Sequence, residues 1–273
     1  MFTTVKVRSV AVGGRQLRVA VRPARTGLSL NGRARRTPLL LINGIGASLE
    51  LLEPFVRELD PAVEVITFDP PGVGGSPLPA RPYWINGLCR LIARMLTELG
   101  YDQVDVLGIS WGGGVAQHFA GFQRARCRRL VLVATATGAL MVPARPSVLV
   151  HMVTPQRWLD RGYLQRIAGD IYGGLARIDS EEIVAASWTS VPFLPLLRQR
   201  TLILAGDDDP IIPLANARLM KLLIPKSRLH VYHGGHLGLV TEAAELAPVV
   251  DAFLAASLTD LEGLLWQAPA GPR

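Results

Sequence analysis

Residues 104–114 read VDVLGISWGGG, an apolar run that leads into a serine flanked by glycines. Gly108, Ser110 and Gly112 match the pattern G-x-S-x-G, which indicates a nucleophilic serine when it stands in a sharp turn between a strand and a helix. The two glycines let such a turn close tightly, so that the Ser110 hydroxyl is presented above a sheet. The pentapeptide alone is a weak signal, because a glycine-rich turn with a helix-capping serine has the same form.

Two further stretches downstream supply the partners that a nucleophilic serine needs. A serine hydroxyl attacks only when a base takes its proton, and that base needs a carboxylate to orient it and stabilise its charge. In this arrangement the acid and the histidine follow the serine in that order, each after a strand. The apolar run Thr201–Ala205 leads into residues 206–213, GDDDPIIP, and the next apolar run leads into residues 233–237, HGGHL. We therefore predict that Ser110 belongs to a catalytic triad.

The acid and the histidine each have neighbours of the same type. Asp209 is the preferred acid because a short loop must carry the carboxylate away from the strand, and Asp207 and Asp208 remain alternatives. His236 is the preferred base because it follows a glycine pair that lets a loop swing inward. His233 remains a minor candidate. Since His233 and His236 lack a third ligand at metal-binding spacing, we predict no metal site.

The negative charge that develops on the substrate oxygen requires two backbone N–H donors. One belongs to the residue after the nucleophile and the other to the turn after the third strand, which points to Trp111 and Ile45. Residues 43–46, NGIG, have the small side chains that expose backbone amides. We further predict that Asn43, Gly44 and Trp188 line the substrate site.

Short apolar runs alternate with helical stretches along most of the chain. Predicted strands cover residues 38–42, 63–68, 104–109, 130–134, 201–205 and 228–232, after an N-terminal hairpin over residues 5–21. Predicted helices cover residues 49–59, 83–99, 111–123, 214–223 and 243–258. This alternation predicts an α/β fold with a mostly parallel, eight-stranded sheet and helices on both of its faces.

The alternation is interrupted once. Between Met141 and Leu197 the chain carries aromatic residues, short amphipathic segments and prolines at positions 143, 146, 155, 192 and 195. We interpret residues 142–196 as an inserted helical cap, and residues 1–141 and 197–273 as the core domain.

Composition excludes several classes of function. The 273 residues are 49% hydrophobic and 19% charged, which is too apolar for a disordered protein. The net charge is +7 and the pI is about 10.0, but the arginines are scattered singly and in pairs, so no nucleic-acid partner is predicted. The two cysteines, Cys89 and Cys127, are placed in helices or at a helix edge and exclude a disulfide framework.

The sequence also shows no targeting segment and no nucleotide-binding motif. The first residues lack the apolar run of a secretory signal, and no run of 18 apolar residues follows, so we expect a cytoplasmic protein without a membrane span. No Gly-Lys pair marks a phosphate loop, and neither residues 44–46 nor residues 72–74 continue to the third glycine of a dinucleotide fingerprint. We therefore predict no cofactor.

Several of these stretches resemble a known family. The serine motif at residues 108–113, the acid loop at residues 206–210 and the pair Gly235-His236 are similar to those of α/β-hydrolases. Four more stretches are similar to the intracellular medium-chain-length poly(3-hydroxyalkanoate) depolymerases of bacteria: residues 43–50 (NGIGASLE), 68–76 (FDPPGVGGS), 135–143 (TATGALMVP) and 171–174 (IYGG). The resemblance covers about residues 5–258.

That resemblance implies an α/β-hydrolase fold and a polyester substrate stored in granules, with Ser110 as nucleophile, Asp209 as acid and His236 as base. It also implies an acyl-enzyme and association with the granule. Between Ile178 and Trp188 the cap is shorter than the family's, and the cap shapes the acyl pocket. A carboxylesterase or carbon–carbon-bond hydrolase for small lipophilic substrates, with the same fold and triad, is the alternative. A non-catalytic granule-binding protein is less favoured.

Overall fold

The computed structural model describes residues 5–25, 36–80, 83–143 and 188–256. Its strands are β1 (Lys6–Val12), β2 (Arg15–Arg22), β3 (Leu39–Ile42), β4 (Val65–Phe68), β5 (Val104–Ile109), β6 (Cys127–Val133), β7 (Arg200–Gly206) and β8 (Ser227–Tyr232). They form one eight-stranded sheet in the order β1-β2-β4-β3-β5-β6-β7-β8. Strands β3 to β8 run parallel, and the β1–β2 hairpin joins them antiparallel through β2 and β4. The predicted, mostly parallel sheet is confirmed.

Helices cover both faces of this sheet. The described α-helices are α1 (Glu53–Glu58), α2 (Ile85–Glu98), α3 (Trp111–Phe122), α4 (Leu214–Leu223), α5 (Gly238–Thr241) and α6 (Ala243–Ala255). Leu40 and Ile42 face a core cluster with side chains from α2, α3 and α4, whereas Leu39 and Leu41 face a second cluster with side chains from α1, α5 and α6. Successive strand residues point to opposite faces, so an all-apolar strand needs cover on both sides. Of the described helices, none is long and apolar enough to cross a membrane.

The parallel strands place the predicted triad residues at one edge of the sheet. Strand β5 ends directly before Ser110, β7 ends before the loop with Asp209, and β8 ends before the loop with His236. Because parallel strands have their carboxyl ends at the same edge, three segments far apart in sequence meet there.

Strand β6 begins at Cys127, earlier than the predicted start at residue 130, and Cys127 directly follows a 3₁₀ turn at Arg124–Arg126, so it lies both at a helix edge and in the strand. Two arginines interrupt the apolar pattern at the start of the strand. Arg128 donates from Nε to Asp105 at 2.8 Å, and Arg129 donates to the backbone carbonyl of Phe253 at 2.6 Å. These partners satisfy the two cations, so the strand can extend through them.

Two helices also differ from their predictions. Helix α1 begins at Glu53 rather than at residue 49, because the backbone amide of Leu49 donates to the Asp69 carboxylate at 2.7 Å and the chain turns there. Helix α6 ends at Ala255, and the short α5 before it was not predicted, since four residues are too few to show a helical period.

Most of the predicted cap, residues 144–187, lies outside the described residues. The flanks of that segment are described, and they lie side by side. Gly138 forms an isolated bridge with Thr189, and the Ala139 amide donates to the Trp188 carbonyl at 2.8 Å. The segment therefore leaves and re-enters the core at one place. The division into a cap over residues 142–196 and a core over residues 1–141 and 197–273 stays a prediction.

Candidate active site

Ser110 occupies the turn between β5 and α3, with φ 54° and ψ −124°. Residues with a side chain rarely adopt a positive φ, and this conformation raises the hydroxyl above the sheet. The turn closes only with glycines, because a Cβ on Gly108 would overlap the carbonyl of Gly112, and a Cβ on Gly112 would overlap that of Ile42. The Thr135 hydroxyl, just after the end of β6, donates to the Ser110 carbonyl at 2.6 Å and holds the turn.

The three predicted triad residues form one hydrogen-bonded chain. His236 Nε2 lies 2.9 Å from the Ser110 hydroxyl oxygen, and His236 Nδ1 lies 2.8 Å from Asp209 Oδ2. The side chain of His236 is 12% exposed and that of Asp209 is 1% exposed. The serine, the imidazole and the carboxylate therefore meet in the order that acyl transfer requires, with the carboxylate shielded from water.

Asp209 is oriented by its own loop. Its second carboxylate oxygen, Oδ1, accepts from the backbone amides of Ile211 at 2.8 Å and Ile212 at 2.9 Å. Both oxygens thus have fixed partners, and Oδ2 is left to face the imidazole. This local turn distinguishes Asp209 from the two aspartates before it.

The loop that carries His236 wraps around the ring of Tyr232. The Tyr232 hydroxyl donates to the Gly235 carbonyl at 3.0 Å, and a Cβ on Gly238 would overlap the phenol ring. A Cβ on Gly206, at the end of β7, would in turn overlap the Gly234 carbonyl. Small residues are therefore required for the acid loop and the histidine loop to approach each other.

Asp207 and His233, the alternative acid and the alternative base, form a hydrogen-bonded pair with each other outside the site. Asp207 Oδ2 lies 3.1 Å from His233 Nδ1, and their side chains are 44% and 93% exposed. The hydrogen bond to Asp207 raises the pKa of His233, and the same bond lowers the pKa of Asp207. Asp208 is exposed, and its backbone amide donates to the Gly234 carbonyl at 3.2 Å. In the described structure, Ser110 is joined to none of these side chains.

The predicted oxyanion donors lie in the two segments next to the serine. Trp111 follows Ser110 directly, and a Cβ on Gly44 would sit 3.5 Å from the Ser110 Cβ, so the turn that contains Ile45 passes beside the nucleophile. Within the described part of the chain, the backbone amides of Ile45 and Trp111 meet no hydrogen-bond acceptor. Two free amides beside the serine hydroxyl suit an oxyanion. Their role stays a prediction.

A buried carboxylate in the loop at residues 68–76 holds the segment that follows the Ile45 turn. Asp69 is fully buried and accepts from the amides of Leu49 at 2.7 Å and Gly75 at 2.8 Å, and from Arg18 at 3.1 Å. Arg18 also pairs with Glu50. Burial raises the pKa of Asp69, and these hydrogen bonds oppose that rise. The sequence DPPGVGGS predicts a loop, but it does not show that Asp69 bonds to Arg18 on β2 and to Leu49 after β3.

The predicted substrate-lining residues have structural contacts of their own. The Asn43 amide donates to the Ser48 carbonyl at 2.8 Å, and its Oδ1 is buried without a partner among the described residues. Trp188 packs on α3, where it meets the ring of His118 edge-on at 5.3 Å between centroids. Burial lowers the pKa of that histidine. Gly44 borders Ser110, and a role in substrate binding for all three stays a prediction.

Comparison with known proteins places this site in a family. The model of the alpha/beta hydrolase fold matches residues 37–186, more than half of the chain. The chain belongs to the α/β-hydrolase fold family. This α/β-hydrolase is 46% identical over 267 residues to a poly(3-hydroxyalkanoate) depolymerase of Ectopseudomonas oleovorans, with 90% of this chain and 92% of that protein covered.

More distant relatives share the fold of this α/β-hydrolase. The 3-oxoadipate enol-lactonase 2 of Acinetobacter baylyi is 24% identical over 241 residues, which cover 82% of this chain and 90% of that protein. The crystal structure of the enol-lactonase from Burkholderia xenovorans LB400 superposes with a TM-score of 0.76 at 20% identity, covering 91% of this chain and 100% of that chain. The predicted resemblance, the fold class and the assignment as an ester-acting hydrolase are confirmed.

Proposed function

We propose that this α/β-hydrolase cleaves the ester bonds of medium-chain poly(3-hydroxyalkanoate) through an acyl-enzyme on Ser110. The hydrogen-bonded chain from Ser110 through His236 to Asp209 carries the chemistry of this proposal. The assignment of this polymer as the substrate rests on the depolymerase relative at 46% identity. The fold alone does not support it, because proteins that share a fold differ in the substrates that their pockets admit.

The first half of the reaction forms the acyl-enzyme. His236 Nε2 takes the proton of the Ser110 hydroxyl as its oxygen attacks the ester carbonyl carbon. Asp209 keeps the other imidazole proton on Nδ1, which leaves Nε2 free to accept. The backbone amides of Ile45 and Trp111 donate hydrogen bonds to the carbonyl oxygen as it becomes negatively charged. The imidazolium then gives its proton to the departing hydroxyl end of the polymer.

The second half releases the product. Water loses a proton to His236 and attacks the acyl carbonyl, and the Ser110 oxygen leaves with the proton that His236 returns to it. The product is a 3-hydroxy acid or a short oligomer with a free carboxyl group. As part of this proposal, we place the enzyme in the cytoplasm at the surface of stored granules, as the resemblance implies.

A hydrolase for small esters or for carbon–carbon bonds is the second candidate. The relative named an enol-lactonase, which covers 82% of this chain at 24% identity, favours the small-ester substrate. Both candidates use the same serine, acid and histidine. They differ in the substrate that the pocket admits and, for a carbon–carbon bond, in a leaving group that must be protonated on carbon rather than on oxygen.

The test measures 3-hydroxy acid release from amorphous medium-chain granules beside hydrolysis of a short-chain nitrophenyl ester. We expect Ser110→Ala to lower turnover of both substrates by up to about 10⁶-fold. His236→Gln should also abolish activity. Its matched control is His233→Gln, which should retain activity because His233 belongs to the exposed pair with Asp207.

Each outcome separates one part of the proposal. Release of hydroxy acids that disappears with Ser110→Ala supports both the nucleophile and the polymer. Cleavage of the small ester alone refutes the polymer and leaves the second candidate. Granule binding without any hydrolysis points to a non-catalytic protein, and turnover that survives in Ser110→Ala refutes the nucleophile.

A further inference from the structure

A cleft lined by three arginines lies between the β1–β2 hairpin and α2. Arg15 comes from the start of β2, and Arg90 and Arg94 come from successive turns of α2. The turn at Gly13 closes the hairpin end of the cleft, with the Arg94 guanidinium against it. Among the described lining residues there is no carboxylate. The proposed polyester chemistry uses none of these residues.

These three arginines differ from those that hold the fold together. Arg18 pairs with Asp69 and Glu50, and Arg128 pairs with Asp105. By contrast, over residues 5–25, 36–80, 83–143 and 188–256, the three cleft guanidinium groups have no hydrogen-bond or ion-pair partner, and all three side chains are exposed. Three unpaired guanidiniums at one cleft repel each other, and an anion that enters would relieve that repulsion.

The register of the hairpin extends this positive surface. Arg15 lies opposite Val12, which packs in the same core cluster as α2, so the Arg15 side chain is on the α2 face of the sheet. Strand residues alternate between faces, and Lys6 and Arg8 share the face of Val12. Both are exposed. Five cations therefore lie on one side of the molecule, in agreement with its net charge of +7.

An exposed tryptophan stands at one end of this surface. Trp84 caps α2 and is 68% exposed. Tyr83 and Gly87 both line the cleft, and Trp84 stands between them at the start of α2, so it lies next to the end of the cleft. Five residues join α2 to the start of β5, which places the end of α2 at the amino edge of the sheet and Trp84 towards the carboxyl edge, where Ser110 lies.

We propose that the cleft and Trp84 form a docking surface for anionic phospholipid, with guanidiniums on the headgroup phosphates and the indole at the interface. Tryptophan favours the headgroup region because its ring is apolar and its N–H is polar. Clustered arginine and lysine attract anionic lipid headgroups. A nucleic-acid duplex would satisfy the cations, but its stacked bases would give the exposed indole no apolar layer to enter. Docking in this way brings the carboxyl edge, and with it the active site, close to the lipid surface.

The experiment is vesicle co-sedimentation with the full-length protein. Vesicles of one part phosphatidylglycerol to two parts phosphatidylcholine are compared with pure phosphatidylcholine. We expect binding to the anionic vesicles only, weakened roughly 30-fold by Arg90→Gln/Arg94→Gln, at about 5-fold for each arginine. The matched control is Arg198→Gln/Arg218→Gln, which removes the same charge near β7 and α4, at the far end of the sheet.

Two further measurements make the lipid assignment specific. Trp84→Ala should weaken binding to the anionic vesicles and leave binding to duplex DNA of similar charge unchanged. Hydrolysis of a soluble nitrophenyl ester should be unchanged in all the surface variants, which shows that each variant is folded and keeps this test independent of the polymer substrate. If the protein failed to hydrolyse the polymer, the conclusion about lipid binding at the cleft would therefore be unaffected.

The proposal is overturned if the protein fails to bind anionic vesicles at low salt. It is also overturned if the control pair weakens binding as much as the cleft pair, since net charge alone would then explain the attraction. Equal affinity for DNA and vesicles, with no effect of Trp84→Ala, would also overturn it, because the cleft would then bind polyanions in general and not lipid in particular.

Discussion

Replacing Asp209 with asparagine tests whether the carboxylate sets the protonation of His236. The backbone amides of Ile211 and Ile212 donate to one oxygen of the side chain, so in the variant the amide oxygen takes that place. The amide NH₂ group then faces His236 Nδ1. Because NH₂ is a donor, Nδ1 must be the acceptor, and the imidazole proton moves to Nε2. That nitrogen faces Ser110 and can no longer accept its proton.

The size of the effect follows from this change of tautomer. The same substitution in a serine protease triad lowers turnover about 10⁴-fold, which corresponds to about 5 kcal/mol in the activation barrier. We expect a loss of that order for Asp209→Asn. The substitution preserves side-chain volume at a site that is 1% exposed, so packing should change little.

Asp207→Asn is the matched control, because Asp207 is two residues earlier and makes the same kind of bond to His233. Steady-state turnover of a nitrophenyl ester should stay close to that of the wild type, because the Asp207–His233 pair is exposed and is not bonded to Ser110. Titration by NMR should show the pKa of His233 lower in this variant, since the bond to Asp207 raises it in the parent. Comparable activity of the two variants would refute the assignment of the acid.

Three further predictions concern the supports of the site. Tyr232→Phe leaves the Gly235 carbonyl without its donor, and we expect a loss of about 1 kcal/mol in urea denaturation and a lower kcat with little change in KM. Gly108→Ala forces a Cβ into the Gly112 carbonyl and should destabilise the fold by about 3 kcal/mol, measured in the same way. Burial lowers the pKa of His118, so the unfolded state binds more protons below about pH 6.5 and stability falls on acidification. In His118→Phe, denaturation midpoints at about pH 8 and about pH 5 should differ less than in the parent.

Much of the active-site geometry could be predicted because its signals are local. The glycines at 108 and 112 are needed for a turn within one pentapeptide, and the turn lies between an apolar strand and a helix. The order of serine, acid and histidine follows from parallel strands whose carboxyl ends meet at one edge. Asp209 could be preferred over Asp207 on loop length alone, and the two amides that orient it are only two and three residues away.

What could not be predicted depends on partners that are distant in sequence. Asp69 joins Arg18, Leu49 and Gly75 into one buried network, and no spacing rule connects residues so far apart. The start of β6 was placed too late for the same reason, since the acceptor for Arg129 is a helix-end carbonyl of a residue more than a hundred positions later. Local pattern predicts local geometry, and long-range charge pairing appears only in the folded molecule.

The positive φ of Ser110 has a consequence for anyone who tries to improve this enzyme. A backbone held in that region costs about 1–3 kcal/mol, and glycine is the residue that adopts it freely. Ser110→Gly should therefore melt at a higher temperature than the parent while losing all turnover, and Ser110→Ala should not gain as much. A laboratory selection that rewards only survival at high temperature would enrich the inactive molecule. Directed evolution of this protein must score turnover in every round.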